Sequence, residues 1–255
     1  MPLRSLIIAF STFSQIPMPN VEWKPESMRY MMCFFPLVGV VIGLLLVGWV
    51  WLSNALGFGP ILRGAGIVLI PAAVSGGIHL DGFADTCDAL ASNAGPERRA
   101  EILKDSHTGA FAVIGLCMYF VAYFAFAVEL DSATQLLPLV VAPFLSRCLS
   151  GIATVSFAPG VGKGMQFEFH NSASRRSVLI ILVSMTVASA IVLLAANPIM
   201  GICMMCVGLL CLGGLYLLSE NSFMGMSGDL AGFFLQMCEL LLLACIVVVG
   251  KLMGV

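Results

Sequence analysis

The sequence predicts an all-α, polytopic membrane helical bundle of about seven transmembrane helices, with a polar site on its cytoplasmic face. Three observations predict it. Of the 255 residues, 60% are hydrophobic and only 10% are charged, against roughly 25% charged in an ordinary soluble domain. The mean hydropathy of +1.02 is spread along the whole chain, which implies a single integral-membrane domain, 1–255, with no soluble domain beside it. The few basic residues cluster between alternate apolar stretches, which assigns a direction to the bundle. A net charge of −2 offers no basic surface for nucleic acid, so the implied surroundings are membrane lipid. A homo-oligomer is left open.

Taken in order, Leu3 to Ile16 is too short to span and ends at Pro17 and Pro19, so it reads as an interfacial or packed helix. Stretches of about 20 apolar residues, the length a bilayer requires, follow near residues 33–56, 61–78, 110–129, 134–157, 177–196, 198–218 and 233–253. The second is the weakest. Arg63 and Pro71 interrupt it, and Gly64, Gly66, Gly76 and Gly77 lower its hydrophobicity while suiting close helix packing. Arg4, Lys24 and Arg29 precede the first stretch; Arg98, Arg99 and Lys104 lie between the second and third; Lys163, Arg175 and Arg176 lie between the fourth and fifth. Only Arg63 and Lys251 fall at the other ends, with Arg147 inside the fourth stretch. The N-terminus is therefore expected on the cytoplasmic side of the membrane and the C-terminus on the opposite side. The four longest polar segments, 11–30, 79–109, 158–176 and 219–232, then share one face. Most of the nine cysteines sit in apolar runs, and Cys203-x-x-Cys206 has neither a second pair nor a nearby His, so packing is their reading.

The chemistry concentrates in His79-Leu-Asp-Gly-Phe-Ala-Asp-Thr-Cys-Asp88. On a helix, Asp81, Asp85 and Asp88 stand at i, i+4 and i+7 and share a narrow stripe. Stacked like charges destabilise a helix unless a cation lies between them, and an oxygen-only cluster suits Mg²⁺, Mn²⁺ or Ca²⁺ rather than zinc. The bland alternative is a solvated face at a helix start, where the dipole tolerates acid. The next segment, Glu97 to Gly109, adds Asp105 to a helical run carrying Arg98, Arg99, Glu101 and Lys104. Acid for a metal beside base for phosphate is the combination phosphoryl transfer uses. For Arg98 and Arg99, plain membrane topology is an equal explanation. Pro159-Gly-Val-Gly-Lys163-Gly is a glycine-rich basic loop suited to phosphate, although it lacks P-loop spacing. Gly228-Asp229 leads into the last apolar stretch, which carries Glu239; like Arg147, this is an intramembrane ionisable residue and hence a functional candidate or a structural pair member.

At these residues the chain resembles the cobalamin synthase family, the adenosylcobinamide-GDP ribazoletransferases. The family's G-G-x-H-L-D-G-x-A-D-T-x-D stands here as Gly76 to Asp88, and its R-x-x-E-I-[ML]-[KR]-D-S-x-x-G as Arg98 to Gly109. Further similarity covers Phe10 to Pro19, Phe35 to Gly39, Ala142 to Arg147, Gly160 to Gly164 and Ser227 to Asp229. Departures are His107 in place of the usual Arg, Ala110 for Thr, Met224 for Gly, Ser227 for Thr and Gln236 for an acid. The resemblance implies transfer of α-ribazole, or its 5′-phosphate, onto adenosylcobinamide-GDP with release of GMP and with Mg²⁺ as cofactor. It implies Asp81, Asp85 and Asp105 as metal ligands, Asp88 as ligand or base, and His79 as the other base candidate. Arg98, Lys104, Ser106, Arg147, Lys163, Asp229 and Glu239 would contact substrate. The signatures of CDP-alcohol phosphotransferases and intramembrane aspartyl proteases do not fit. A cation transporter with a carboxylate-lined path is the alternative.

Overall fold

The computed structural model describes residues 2–105, 107–130, 135–160 and 174–254. Among these residues it is an all-helical bundle, with one isolated parallel bridge between Pro159 and Met226. Helix α1 (Pro2–Phe13) lays Ile7, Ile8 and Phe10 inward, and Ser5 Oγ donates to the Ser27 carbonyl at 2.7 Å, tying α1 to the short α2 (Pro25–Met28). The N-terminal helix is thus packed on the bundle, one of the two arrangements expected of it.

Helix α3 (Met31–Ala55) is the first crossing, and α8 (Leu136–Ser156) lies against it. The two backbones touch: a Cβ on Gly39 would stand 2.3 Å from the Pro143 carbonyl oxygen, and one on Gly43 2.5 Å from that of Val140. Small residues four apart let van der Waals packing hold helices together where lipid supplies no hydrophobic drive. Helix α4 (Pro60–Ser75) starts on proline, whose fixed φ suits a first helical position. It is followed by α5 (Ile78–Ala91), α6 (Pro96–Ile102), α7 (Ala110–Val128), α9 (Arg175–Ala196), α10 (Pro198–Ser222) and α11 (Gly228–Met253). Asn197 caps α10 by accepting from Met200 N at 3.0 Å, and Ser227 caps α11 by accepting from Leu230 N at 3.2 Å.

Six of these helices, α3 and α7 to α11, are long and apolar enough to cross a membrane, and α4 with α5 makes up to a seventh. Here the structure corrects the expected second span. It does not run unbroken to residue 78; α4 ends at Ser75 and the chain turns by 96° into α5. Gly76 and Gly77 cause the turn, with φ of 63° and 78°, a left-handed region closed to most side chains. The last span also begins five residues earlier than expected, at Gly228, which puts Asp229 in its first turn.

The bonds at the helix ends sort them into two faces. On one, Gln15 N donates to the Val74 carbonyl, Ser174 N to that of Arg29, and Met226 N to that of Ala158. On the other, Arg63 Nη2 donates to the Leu130 carbonyl at 2.6 Å and Lys251 pairs with Glu129 at 2.9 Å. Arg63 Nη1 also donates to Asn54 Oδ1 at 3.3 Å, so residues 54 and 63 share a face opposite Val74 and α4 runs from one face to the other. The polar segments expected to share a face do so wherever they are described.

Candidate active site

Helix α5 lies across the start of α11, and two glycines set how close it comes. A Cβ on Gly82 would be 2.7 Å from Asp229 Cα, and one on Gly232 would be 2.8 Å from the His79 carbonyl oxygen. The helices therefore meet backbone to backbone, which brings the acidic stripe of α5 beside Asp229 in the first turn of α11. Asp81, Asp229 and Asp88 all act electrostatically on half-buried Asp85, and Asp81 acts on Asp229. The sequence placed Asp229 among substrate contacts; the structure groups it with the carboxylates. The available signal was the glycine at each crossing position, Gly82 beside Asp81 and Gly232 three residues after Asp229.

Asp88 and Asp105 are engaged elsewhere. One Asp88 oxygen accepts from Gly109 N at 2.5 Å and the other from Ala112 N at 2.9 Å, so this carboxylate satisfies the start of α7. Exposed Asp105 accepts from the His107 backbone N at 3.0 Å and pairs with His107 Nδ1 at 2.6 Å. The ring hydrogen bond first, then the backbone one, holds the Asp105 carboxyl below its usual range. His79 is buried between Phe13 and Phe35, with ring centroids 6.2 and 5.9 Å away, and its Nε2 has no hydrogen-bond partner among the described residues.

The basic residues divide similarly. Arg98 is exposed and pairs with Glu101 at 2.7 Å, and exposed Lys104 follows at the end of α6. Arg147 and Glu239, read from the sequence as functional candidates or members of a structural pair, are bound to each other at 2.6 Å inside the bundle. Ser106 and Lys163 lie outside the described residues. The glycine loop's first residues are nevertheless placed: Gly160 N donates to the Met226 carbonyl at 2.8 Å, so the chain entering that loop runs beside the approach to Asp229.

Among the described residues, no group of three or more His, Cys, Asp or Glu side chains is gathered tightly enough to hold a metal ion. The donor chemistry still suits a hard divalent cation, since Asp81, Asp85 and Asp229 supply oxygen alone from two facing helices. Asp229 is also hydrogen-bonded by Ser227 in the cap of α11, and Asp88 and Asp105 hold the partners already described.

A family model described as cobalamin-5-phosphate synthase matches residues 5–247, which takes in α5, α6, α8 and the start of α11. The chain belongs to this cobalamin-5-phosphate synthase family. Among its relatives, the adenosylcobinamide-GDP ribazoletransferase of Lachnoclostridium phytofermentans is 42% identical over 94% of this chain and 91% of its own. That of Geotalea daltonii is 32% identical over 97% and 98%, and that of Clostridium perfringens strain SM101 is 31% identical over 92% and 94%. No solved structure matches the chain. The departures from the cobalamin synthase pattern take structural form here. His107 is the partner of Asp105, and Ser227 keeps the hydroxyl that caps α11.

Proposed function

We propose that this cobalamin synthase family member joins α-ribazole, or its 5′-phosphate, to adenosylcobinamide-GDP and releases GMP. The observation that carries the reading is the crossing of α5 and α11, which sets Asp81 and Asp85 beside Asp229 on the polar face of a chain like the ribazoletransferases. In the reaction, a ribazole hydroxyl oxygen attacks the phosphorus bonded to the cobinamide oxygen, the bond from that phosphorus to the bridging oxygen breaks, and GMP departs with the bridging oxygen. Asp81, Asp85 and Asp229 would hold Mg²⁺, which when bound supplies Lewis-acid neutralisation of the pyrophosphate. Lys104, at the exposed end of α6, neutralises the remaining phosphate charge. A carboxylate of the row takes the hydroxyl proton.

The site faces the cytoplasm in this reading. Nine basic residues belong to segments of that face and only Arg63 and Lys251 to the other. The bacterial cytoplasmic membrane is the matching location. Cation transport is disfavoured because Glu239, the acid deepest in the bundle, is neutralised by Arg147 rather than open to a path. The test is to incubate the purified protein with adenosylcobinamide-GDP, α-ribazole and Mg²⁺ and to look for the cobalamin product and GMP by mass. Absence of both products, with ribazole and with its 5′-phosphate, would overturn the proposal.

A further inference from the structure

Helix α7 is a 19-residue apolar crossing that begins with no capping side chain of its own, because its N-cap is Gly109. A helix start leaves N–H groups without partners, and at a membrane edge those groups need one. Asp88, 21 residues earlier and on another helix, supplies it. Its two oxygens accept from the N-cap N–H of Gly109 and from the third helical N–H, that of Ala112. A capping box satisfies the same pair of donors with two local side chains; here one distant carboxylate does both. Gly109 has the extended φ and ψ of an ordinary N-cap, −84° and 173°, so its backbone alone does not require glycine. What excludes a side chain is Asp88: a Cβ on Gly109 would meet its Oδ1 and Oδ2 at 2.5 Å and its Cγ at 2.7 Å, the three nearest atoms.

We infer that Asp88 is a positioning residue that fastens the start of α7, and with it the preceding segment carrying Lys104 and Asp105, to the carboxylate helix α5. Its oxygens are committed to backbone donors, which separates it from Asp81, Asp85 and Asp229. Lys104 lies five residues before the capped Gly109, so loss of the cap is expected to tell on the substrate that brings the pyrophosphate. This last consequence rests on the proposed ribazoletransferase activity; the capping itself does not.

The experiment moves the cap from residue 88 to residue 109. Asp88→Ala removes the remote carboxylate and also the atoms that crowd Gly109, leaving room for a serine there. In Asp88→Ala, amide hydrogen exchange at residues 109–113 is expected to quicken about tenfold, the scale of losing one N-cap. KM for adenosylcobinamide-GDP rises and KM for ribazole holds. In the double variant Asp88→Ala/Gly109→Ser the local hydroxyl accepts from Ala112 N, so amide protection returns and KM for adenosylcobinamide-GDP falls back to within about threefold of the parent's value. If Asp88→Ala does not accumulate, the double variant must restore its expression. Unchanged exchange in the single variant overturns the inference. So does a double variant whose amides stay unprotected or, where the parent is active, one whose amides are protected while its KM for adenosylcobinamide-GDP stays raised, because the carboxylate would then be needed for its own chemistry. Exchange is read without turnover, so an inactive parent protein sinks the activity and leaves the cap tested.

Discussion

Arg147 and Glu239 meet at 2.6 Å in the bundle interior, joining α8 to α11 across 92 residues of sequence, and their side chains are only 2% and 4% exposed. Ser146 Oγ donates to the same Glu239 oxygen at 2.9 Å, Arg147 also donates to the Pro143 carbonyl at 2.9 Å, and its guanidinium stands 5.8 Å from the Phe35 ring centroid. A pair so enclosed ties α8 to α11 inside the bundle. Arg147→Ala is expected to strand the Glu239 charge at a cost of about 3–5 kcal/mol, lowering the melting temperature in detergent by about 10 °C. Replacing both, Arg147→Met with Glu239→Leu, should recover much of that loss. Unchanged melting of the single variant, with KM alone affected, would return both residues to the substrate site.

The crossing of α5 and α11 makes a second expectation. Gly82→Ala adds one methyl group 2.7 Å from the Asp229 Cα, and backbone cannot swing aside as a side chain would. The helices must part by roughly an ångström, at about 1–3 kcal/mol. Turnover should fall about tenfold or more, since misplacement of that size has large effects on reacting groups. Gly228→Ala, at a position with no atom near its Cβ, is the control and should leave turnover alone. Equal behaviour of the two variants would remove the crossing from the account of the site.

The crossings and the acidic row were legible from composition and spacing because both depend on local pattern. Apolar length predicts a span, and i, i+4, i+7 predicts a stripe, whatever the rest of the chain does. What was not legible depends on partners distant in sequence. Asp88 reads like its neighbours Asp81 and Asp85 until Gly109 and Ala112 are seen above it. Glu239 and Arg147 were each recognisable as intramembrane charges, but periodicity does not say that two such charges meet. The bend at Gly76–Gly77 was present only as lowered hydrophobicity, since a hydropathy window measures how apolar a stretch is and not whether its φ angles are left-handed.

Topology gives a third test. With the native cysteines replaced, Asn93→Cys in the turn after α5 should be labelled only from the cytoplasmic side, and Phe58→Cys and Asn197→Cys only from the other. The reasoning combines the two faces defined by the end-to-end bonds with the nine-to-two division of basic residues. Cytoplasmic labelling of Phe58→Cys would show that α3 does not cross as described.

The last expectation concerns the charge at the centre of the row. Asp85→Asn keeps size and polarity and removes one charge from between Asp81, Asp88 and Asp229. If the row holds a divalent cation for an in-line displacement, the transition state loses several kcal/mol of stabilisation. At about 1.4 kcal/mol per decade that is at least roughly a hundredfold in turnover. The Mg²⁺ concentration for half-maximal activity should rise as well, and Asp229→Asn should behave in the same way because it supplies the facing oxygen from α11. Asp105→Asn, paired outward with His107, should raise it far less. A solvated row predicts the opposite for Asp85: relief of repulsion, activity unchanged, and stability higher by up to about 0.5 kcal/mol. Near-normal turnover of Asp85→Asn with an unaltered Mg²⁺ dependence would therefore leave the carboxylates as surface charge, whatever the reaction proves to be.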